Sequence, residues 1–318
     1  MRILLTGSSG WLGRYLAPAL RRAGHQVIGL DVAPGADTIV VGSVADADLV
    51  HRSFVEHGIE AVVHGAALHK PDIARYPEQA FIDVNVSGTR NLLAEAVAAG
   101  HDRFVATSTT SLMISSALRA GRLDRAAWLT EETGPLLPRN IYGVTKLAAE
   151  HLCRMYHERD GLPVTVLRTG RFFPEDDDTE PGDGRNLKAN EFLHRRLTVE
   201  DAARAHVAAL DRAPGLGFET FLVSAPTPFV PDDTGELIRD AAAVVRRYFP
   251  QVDEVYARRG WRLPERIDRV YDAGKAQRLL GFRAHTGFGT ILDALARGEA
   301  PPVVHDPAYV SPAVGGRA

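Results

Sequence analysis

Tyr142 and Lys146 stand four residues apart in Tyr142-Gly143-Val144-Thr145-Lys146. On a helix, positions i and i+4 share a face, so the Lys146 ammonium lies beside the Tyr142 phenol. A free phenol, with a pKa of about 10, shuttles protons poorly at neutral pH. A neighbouring cation favours phenolate, which can then take a proton from a substrate hydroxyl. Upstream, Thr107-Ser108-Thr109-Thr110-Ser111 places five hydroxyls directly after the apolar run Arg103-Phe104-Val105-Ala106. In an open α/β sheet that is the carboxyl edge, where ligands bind; an ordinary Ser/Thr turn is the other reading.

A partner for this chemistry is written near the start of the chain. Thr6-Gly7-Ser8-Ser9-Gly10-Trp11-Leu12-Gly13 follows the apolar strand Arg2-Ile3-Leu4-Leu5. Gly7 allows a tight turn, Gly10 lets a diphosphate approach the backbone, and Gly13 lets helix and strand pack closely. The amides at the helix start, with Ser9, Trp11 and Leu12 around them, then face the anion. A second strand, Gln26-Val27-Ile28-Gly29-Leu30, ends in Asp31, 24 positions after Gly7. That is close to the spacing of about 20 residues expected of a ribose-binding carboxylate; a strand-end turn residue is the alternative. No Arg follows in Val32-Ala33-Pro34 to receive a 2′-phosphate, so NAD is favoured over NADP. An oxidised nicotinamide would add a second positive charge beside Tyr142.

The elements that must position these residues alternate along the chain. Strands are expected at Thr38–Val41, Ala61–His64, Arg103–Ala106, Val164–Leu167 and Thr220–Val223. Helices are expected at about 46–57, 78–99, 141–158, 200–210 and 235–248. Short apolar strands alternating with helices indicate a parallel sheet covered on both faces. A chain of 318 residues can bury a large core, as one big α/β domain or as one plus a small lobe. The formal charge of −3, with basic residues scattered, implies no nucleic-acid partner. The single cysteine, Cys153, excludes an intramolecular disulfide, fits a reducing compartment and reads as a packing residue beside Leu152 and Met155. No signal peptide and no bilayer-length apolar run is present, so a cytoplasmic protein is expected. The acidic stretch 174–184 reads as a surface loop, with an active-site lid as the alternative. Its carboxylates lack metal-ligand spacing, and no metal is expected. The tail from Ala300, rich in Pro and Gly, reads as extended or disordered.

Taken in order, these motifs resemble the extended short-chain dehydrogenase/reductase family, in its NAD-dependent sugar epimerase/dehydratase group. Thr6–Gly13, Asp31, His64-Gly65-Ala66-Ala67, Asn85-Val86-Ser87-Gly88-Thr89, Thr107–Ser111, Tyr142–Lys146 and Leu167-Arg168 carry the likeness. Val199–Ala205 and Asp272–Ala276 extend it to about residue 298. The resemblance implies a Rossmann-type doubly wound parallel sheet with a smaller C-terminal substrate-binding lobe. Residues 1–168 would bind NAD and carry the Tyr/Lys helix, 169–299 would form a substrate-binding lobe interleaved with late sheet elements, and 300–318 would be the tail. It also implies Tyr142 as acid/base, with Lys146 holding the nicotinamide ribose and tuning Tyr142. Thr109 would be the substrate-hydroxyl partner, with Ser108 as fallback. Thr107, Ala66, Ala67 and Asn85 would be cofactor-side or scaffold residues, and a homodimer would pair through the helices near 78–99 and 141–158.

Departures from the family pattern narrow the reaction. Gly42-Ser43-Val44-Ala45-Asp46 replaces the usual Gly-Asp-Val-x-Asp, so an adenine contact from position 43 is in doubt. Family dehydratases place an Asp-Glu pair after the catalytic Thr; here Thr110-Ser111 follow, which disfavours 4,6-dehydration. The segment between the Leu-Arg strand and Gly182-Asp183-Gly184 is short, and it normally supplies much of a nucleotide clamp. Thr169–Glu175 is also similar to the corresponding piece of uronate dehydrogenases, and Arg171 could hold a carboxylate or phosphate in bidentate fashion. Arg195, Arg196 and Arg262 are weaker candidates for substrate contact, and His69 and Lys70 lie either at the pocket mouth or on the surface. The expected activity is NAD-dependent hydride transfer at a secondary alcohol or ketone of a sugar or sugar-like molecule. A nucleotide-sugar epimerase with tightly held NAD is the alternative, and a non-catalytic dinucleotide sensor is a third reading that the Tyr/Lys pair disfavours.

Overall fold

Residues 1–175 and 183–311 are described by the computed structural model. Most of the acidic stretch (176–182) and the end of the tail (312–318) lie outside the described residues. Among the described residues nine strands occur in chain order: β1 (Arg2–Thr6), β2 (Gln26–Asp31), β3 (Thr38–Val41), β4 (Ala61–His64), β5 (Phe104–Thr109), β6 (Ala127–Leu129), β7 (Val164–Thr169), β8 (Phe218–Val223) and β9 (Arg269–Tyr271). Seven form one parallel sheet in the order β3-β2-β1-β4-β5-β7-β8. The order reverses beside β1, which opens a crevice at the carboxyl ends of β1 and β4. β6 and β9 pair in parallel away from that sheet.

The central strands are apolar because helices bury both of their faces. On one face Leu5, Val63, Val105 and Leu167 pack with Leu16, Leu20, Ala202 and Leu210, from the helices Trp11–Arg22 and Val199–Arg212. On the other, Leu4, Val62, Phe104 and Val166 pack with Phe54, Leu92, Leu93 and Cys153, from Ala47–His57, Gly88–Ala98 and Ile141–Asp160. A third core, built around Phe192, Leu237, Val245, Tyr256, Trp261 and Phe288, belongs to the later part of the chain. Cys153 is buried, as a packing residue must be.

Two expected helices differ in detail. The stretch at 78–99 is helical throughout, but Ile82–Ser87 is wound as a wider π turn between Glu78–Phe81 and Gly88–Ala98. The stretch at 235–248 is two helices, Thr234–Arg239 and Ala241–Tyr248. Asp240 leaves helical geometry, and its carboxylate accepts the Ala243 amide, capping the second. The Ile141–Asp160 helix has well-defined ends: Asn140 caps Gly143 at 2.9 Å, and Gly161 closes it with φ of +74°.

That helix is held to the sheet by a buried ion pair. Arg168 on β7 donates to both Glu150 oxygens, at 3.0 and 2.7 Å, with side chains 8% and 7% exposed. Ser108, opposite Arg168 in the β5–β7 register, donates to the same carboxylate at 2.5 Å. Replacing Glu150→Ala leaves a buried, unpaired guanidinium and should cost about 3–5 kcal/mol. Urea denaturation measures this, and Glu150→Met with Arg168→Met together should cost less than either single change. Equal stability of Glu150→Ala and wild type would remove the pair from its anchoring role.

Candidate active site

A cleft opens at the sheet's switch point, with about 900 Å3 of free space, open solvent at its mouth included. Gly7, Gly10, Trp11, Leu12, Asp31 and Ala66 are among the residues lining it. Gly7 has φ of +77°, and a Cβ there would come within 2.8 Å of the Ala66 amide nitrogen. At Gly13 a Cβ would meet the Gly7 carbonyl at 2.2 Å, so the helix can sit this close to the loop only without a side chain. Asp31 is buried at the end of β2. Its carboxylate accepts the Ser9 amide at 2.9 Å and the Ala33 amide at 3.0 Å. The Ser9 hydroxyl donates to the Ala33 carbonyl at 2.8 Å, tying the loop to β2. Ala67, Gly65, Thr107 and Ser43 complete the wall. A narrow glycine cradle, a helix N-terminus and a carboxylate at the second strand fit an adenine dinucleotide.

Tyr142 and Lys146 are both buried, on the face of their helix turned to β5. Lys146 donates to the Thr107 carbonyl at 2.7 Å, and the Thr109 hydroxyl, which donates to Ser111 at 3.0 Å, favours the ionised Tyr142 phenol. Burial pushes the Tyr142 phenol up to about 12, against the pull of Thr109, and Asp72 adds to the rise. Burial likewise lowers Lys146 to about 8, while Cys153 and Glu150 oppose that shift. The expected lowering of Tyr142 by Lys146 is therefore not present in the protein alone. Desolvation of the phenolate outweighs the pull of Thr109.

Ser108 does not stand beside Thr109. Neighbouring residues of a strand face opposite sides, and the Ser108 hydroxyl is committed to Glu150 beneath the helix. Asn85 is scaffold: its amide bonds both the Leu68 amide (2.8 Å) and carbonyl (3.1 Å) and donates to Thr145 at 3.0 Å. The π turn carries this side chain inward, so an otherwise unfavourable helical Asn locks the loop after β4 to the catalytic helix. Behind the loop, Thr89 donates to the Asn85 carbonyl, so its oxygen accepts from His64 Nε2 at 3.0 Å. His64 Nδ1 then accepts from Thr6 at 2.8 Å. His206 is fixed likewise: Nδ1 donates to the Ala202 carbonyl, and Nε2 accepts from Thr107 at 2.8 Å.

At the substrate end, His69 packs 5.8 Å from the Tyr142 ring and 5.5 Å from Phe173, whose ring stacks on Phe172 at 4.8 Å. Sequence reasoning missed both phenylalanines and Asp72, which line the cleft; a Phe-Phe pair directly after a sheet strand was the available signal. The arginines separate. Arg171 (28% exposed), Arg195 (15%) and Arg196 (1%) surround the buried Glu191 carboxylate at 3.7, 3.0 and 2.5 Å. Arg196 also donates to the Phe173 carbonyl, so it is a wall support without access to ligand. Arg262 sits further out, its backbone bonded to Asn186 and Asn190, and does not line the cleft. Lys70 is exposed. Among the described residues no cluster of His, Cys, Asp or Glu could hold a metal, and no helix is long and apolar enough to cross a membrane.

Comparison with known proteins agrees with this geometry. The family model described as "NAD dependent epimerase/dehydratase family" matches residues 3–192. L-arabinose 1-dehydrogenase (NAD(P)(+)) of Haloferax volcanii is 34% identical over 220 residues, 67% of this chain and 78% of that protein. dTDP-glucose 4,6-dehydratase of Streptomyces antibioticus is 29% identical over 326 residues, covering 91% of this chain and 89% of its own. Among solved structures, a short-chain dehydrogenase/reductase superfamily protein from Agrobacterium tumefaciens with bound NAD superposes with a TM-score of 0.65. Its identity is 22%, and the match covers 93% of this chain and 96% of the other.

The buried imidazoles have a consequence for stability. Desolvation lowers His64 to about 3, His69 to about 4 and His206 to about 4. Between those values and the ordinary 6.5 the unfolded chain binds more protons than the folded one. The stability they contribute is full above pH 6.5 and drains away as pH falls towards 4. The melting temperature should drop by several degrees between pH 7 and pH 5, and His206→Gln should flatten that slope. A flat profile across this window in wild type would contradict neutral burial.

Proposed function

The chain belongs to the NAD-dependent epimerase/dehydratase family, and on that premise we propose that it is a dehydrogenase of a compact sugar or sugar acid. Bound NAD supplies the hydride acceptor. The glycine loop and the start of the Trp11–Arg22 helix hold its diphosphate, Asp31 its ribose, and Lys146 the sugar nearest the reaction. Tyr142 exchanges a proton with the substrate hydroxyl, and Thr109, which draws the phenol down, orients that hydroxyl. In the protein alone Tyr142 is a protonated phenol at neutral pH, suited to donate to a ketone; alcohol oxidation needs the phenol drawn down, so rising pH favours it.

The observation that carries the compact-substrate reading is the aromatic cluster of Phe172, Phe173 and His69, the last of which packs on Tyr142. Phe172 and Phe173 follow β7 at once, and Phe173 closes on His69. Arg171 is the arginine best placed for a substrate carboxylate, since it keeps partial exposure while held by Glu191. The relative from Haloferax volcanii, named for a free-pentose oxidation, supports the same direction. Thr110 and Ser111 supply no acid/base pair after Thr109; the Thr110 hydroxyl is spent on the Thr169 carbonyl, which argues against elimination of water. The epimerase alternative keeps the same proton chemistry and differs in retaining the reduced cofactor.

Steady NADH formation with one free sugar or uronic acid from a panel is the expected result. Tyr142→Phe should then lower kcat by about 10²–10⁴ while NAD affinity survives. In wild type, oxidation should speed up from pH 7 to 9. Interconversion of a nucleotide sugar without NADH release would replace this reading with the epimerase one.

The same reading includes a cytoplasmic homodimer. Exposed Ile82 (40%), Val144 (49%) and Met155 (40%) lie on the helical stretches through which the family pairs. Light scattering should give twice the monomer mass, and Val144→Glu should halve it; a monomeric wild type ends this proposal.

A further inference from the structure

Residues 300–311 form neither helix nor strand, turn between Asp306 and Tyr309, and bring Tyr309 and Ser311 into the lining of the cleft. Their inward side chains touch both parts of the molecule. Val303 packs on the core around Phe288 and Trp261, and Tyr309 on the core that contains Trp11 and Leu16. Between them His305 meets the Lys188 ammonium at 2.8 Å, and the Asp306 amide donates to the Pro174 carbonyl at 3.0 Å. Beyond Tyr309, Arg75 donates to the Ser311 carbonyl at 3.4 Å. Val304 (39% exposed) and Val310 (69%) turn outward.

Tyr309 is the centre of this contact. Its ring lies 5.1 Å from that of Trp11, which lies 5.1 Å from Tyr15, a ladder of three rings on the first turn of the Trp11–Arg22 helix. Trp11 is fixed in turn by its Nε1 donating to the Phe172 carbonyl at 3.2 Å. The Tyr309 hydroxyl interacts with the Ser311 side chain and with the backbone of Trp11, whose amide belongs to the helix start that faces an anion. Tyr309 and Ser311 line the same cleft as Gly7, Gly10 and Asp31.

We propose that residues 300–311 form a strap that completes the NAD site over the diphosphate, with Tyr309 as its cofactor-facing residue, and that NAD leaves only when the strap lifts. The strap forms neither helix nor strand of its own, so it opens locally at a free energy far below that of unfolding. Such a segment sets release rates rather than chemistry. The sheet and helix elements cover the cleft from below and from the β1 and β4 sides, and the strap supplies cover from outside. The inference rests on NAD binding by the family fold and not on the identity of the sugar.

The test is NADH release from the full-length protein, followed by stopped-flow fluorescence without any sugar present. Tyr309→Ala should speed release by about tenfold, and His305→Ala, at the contact between Val303 and Tyr309 and away from the helix start, should speed it in the same direction. Hydrogen exchange at the amides of 304–311 should slow when NAD is added to wild type. Unchanged release in both variants overturns the proposal. Tighter NADH binding in Tyr309→Ala also overturns it, because the phenol would then occupy cofactor space. A protein that passes this test yet oxidises no sugar leaves the strap standing and sinks only the substrate reading.

Discussion

The arrangement of the site depends on one buried carboxylate. Glu150 takes two bonds from Arg168 on β7 and one from Ser108 on β5, and so fixes the rotation of the Ile141–Asp160 helix over both strands. Lys146 and Tyr142 lie one and two turns earlier on that helix. Once Glu150 is seated, helical periodicity delivers the ammonium to the Thr107 carbonyl and the phenol to Thr109. A buried ion pair is a poor source of net stability against an apolar substitute, but it specifies a single register. Here register is what the chemistry needs.

A second constraint comes from the other side of the helix. Thr6, His64, Thr89, Asn85 and Thr145 form a chain of hydrogen bonds running from β1 to the catalytic helix, with each donor and acceptor assigned. The π turn exists within that chain, since it presents Asn85 to both Leu68 and Thr145. Leu68 and His69 follow β4 and line the cleft, so the same network that ties down the scaffold also sets the wall facing Tyr142. Burial keeps the histidines of this interior neutral, which fixes their tautomers.

The geometry separates residues that look alike in the chain. Among Arg171, Arg195 and Arg196, one carboxylate holds all three, yet their exposure falls from 28% to 15% to 1%. Only the first combines restraint with access. Phe172 and Phe173 stack on one another after β7, and Phe173 closes on His69, which packs against Tyr142.

The sequence by itself determined what neighbouring residues decide. The glycine loop, Asp31 at the end of β2, the strand–helix alternation and the Tyr142/Lys146 pair all depend on contacts within a turn or a strand, and each is where its local pattern put it. Tertiary structure decided the rest. The pleat dictates that only one of Ser108 and Thr109 can face the cleft, but which one depends on the helix that covers the sheet. The Tyr142 phenol rises because burial, invisible in spacing, outweighs the pull of Thr109. The inward turn of Asn85 and the placing of Tyr309 against Trp11 both follow from partners far away in the chain. Short-range chemistry is written in composition and periodicity; the direction a side chain faces, and the water it loses, are set only when distant segments close around it.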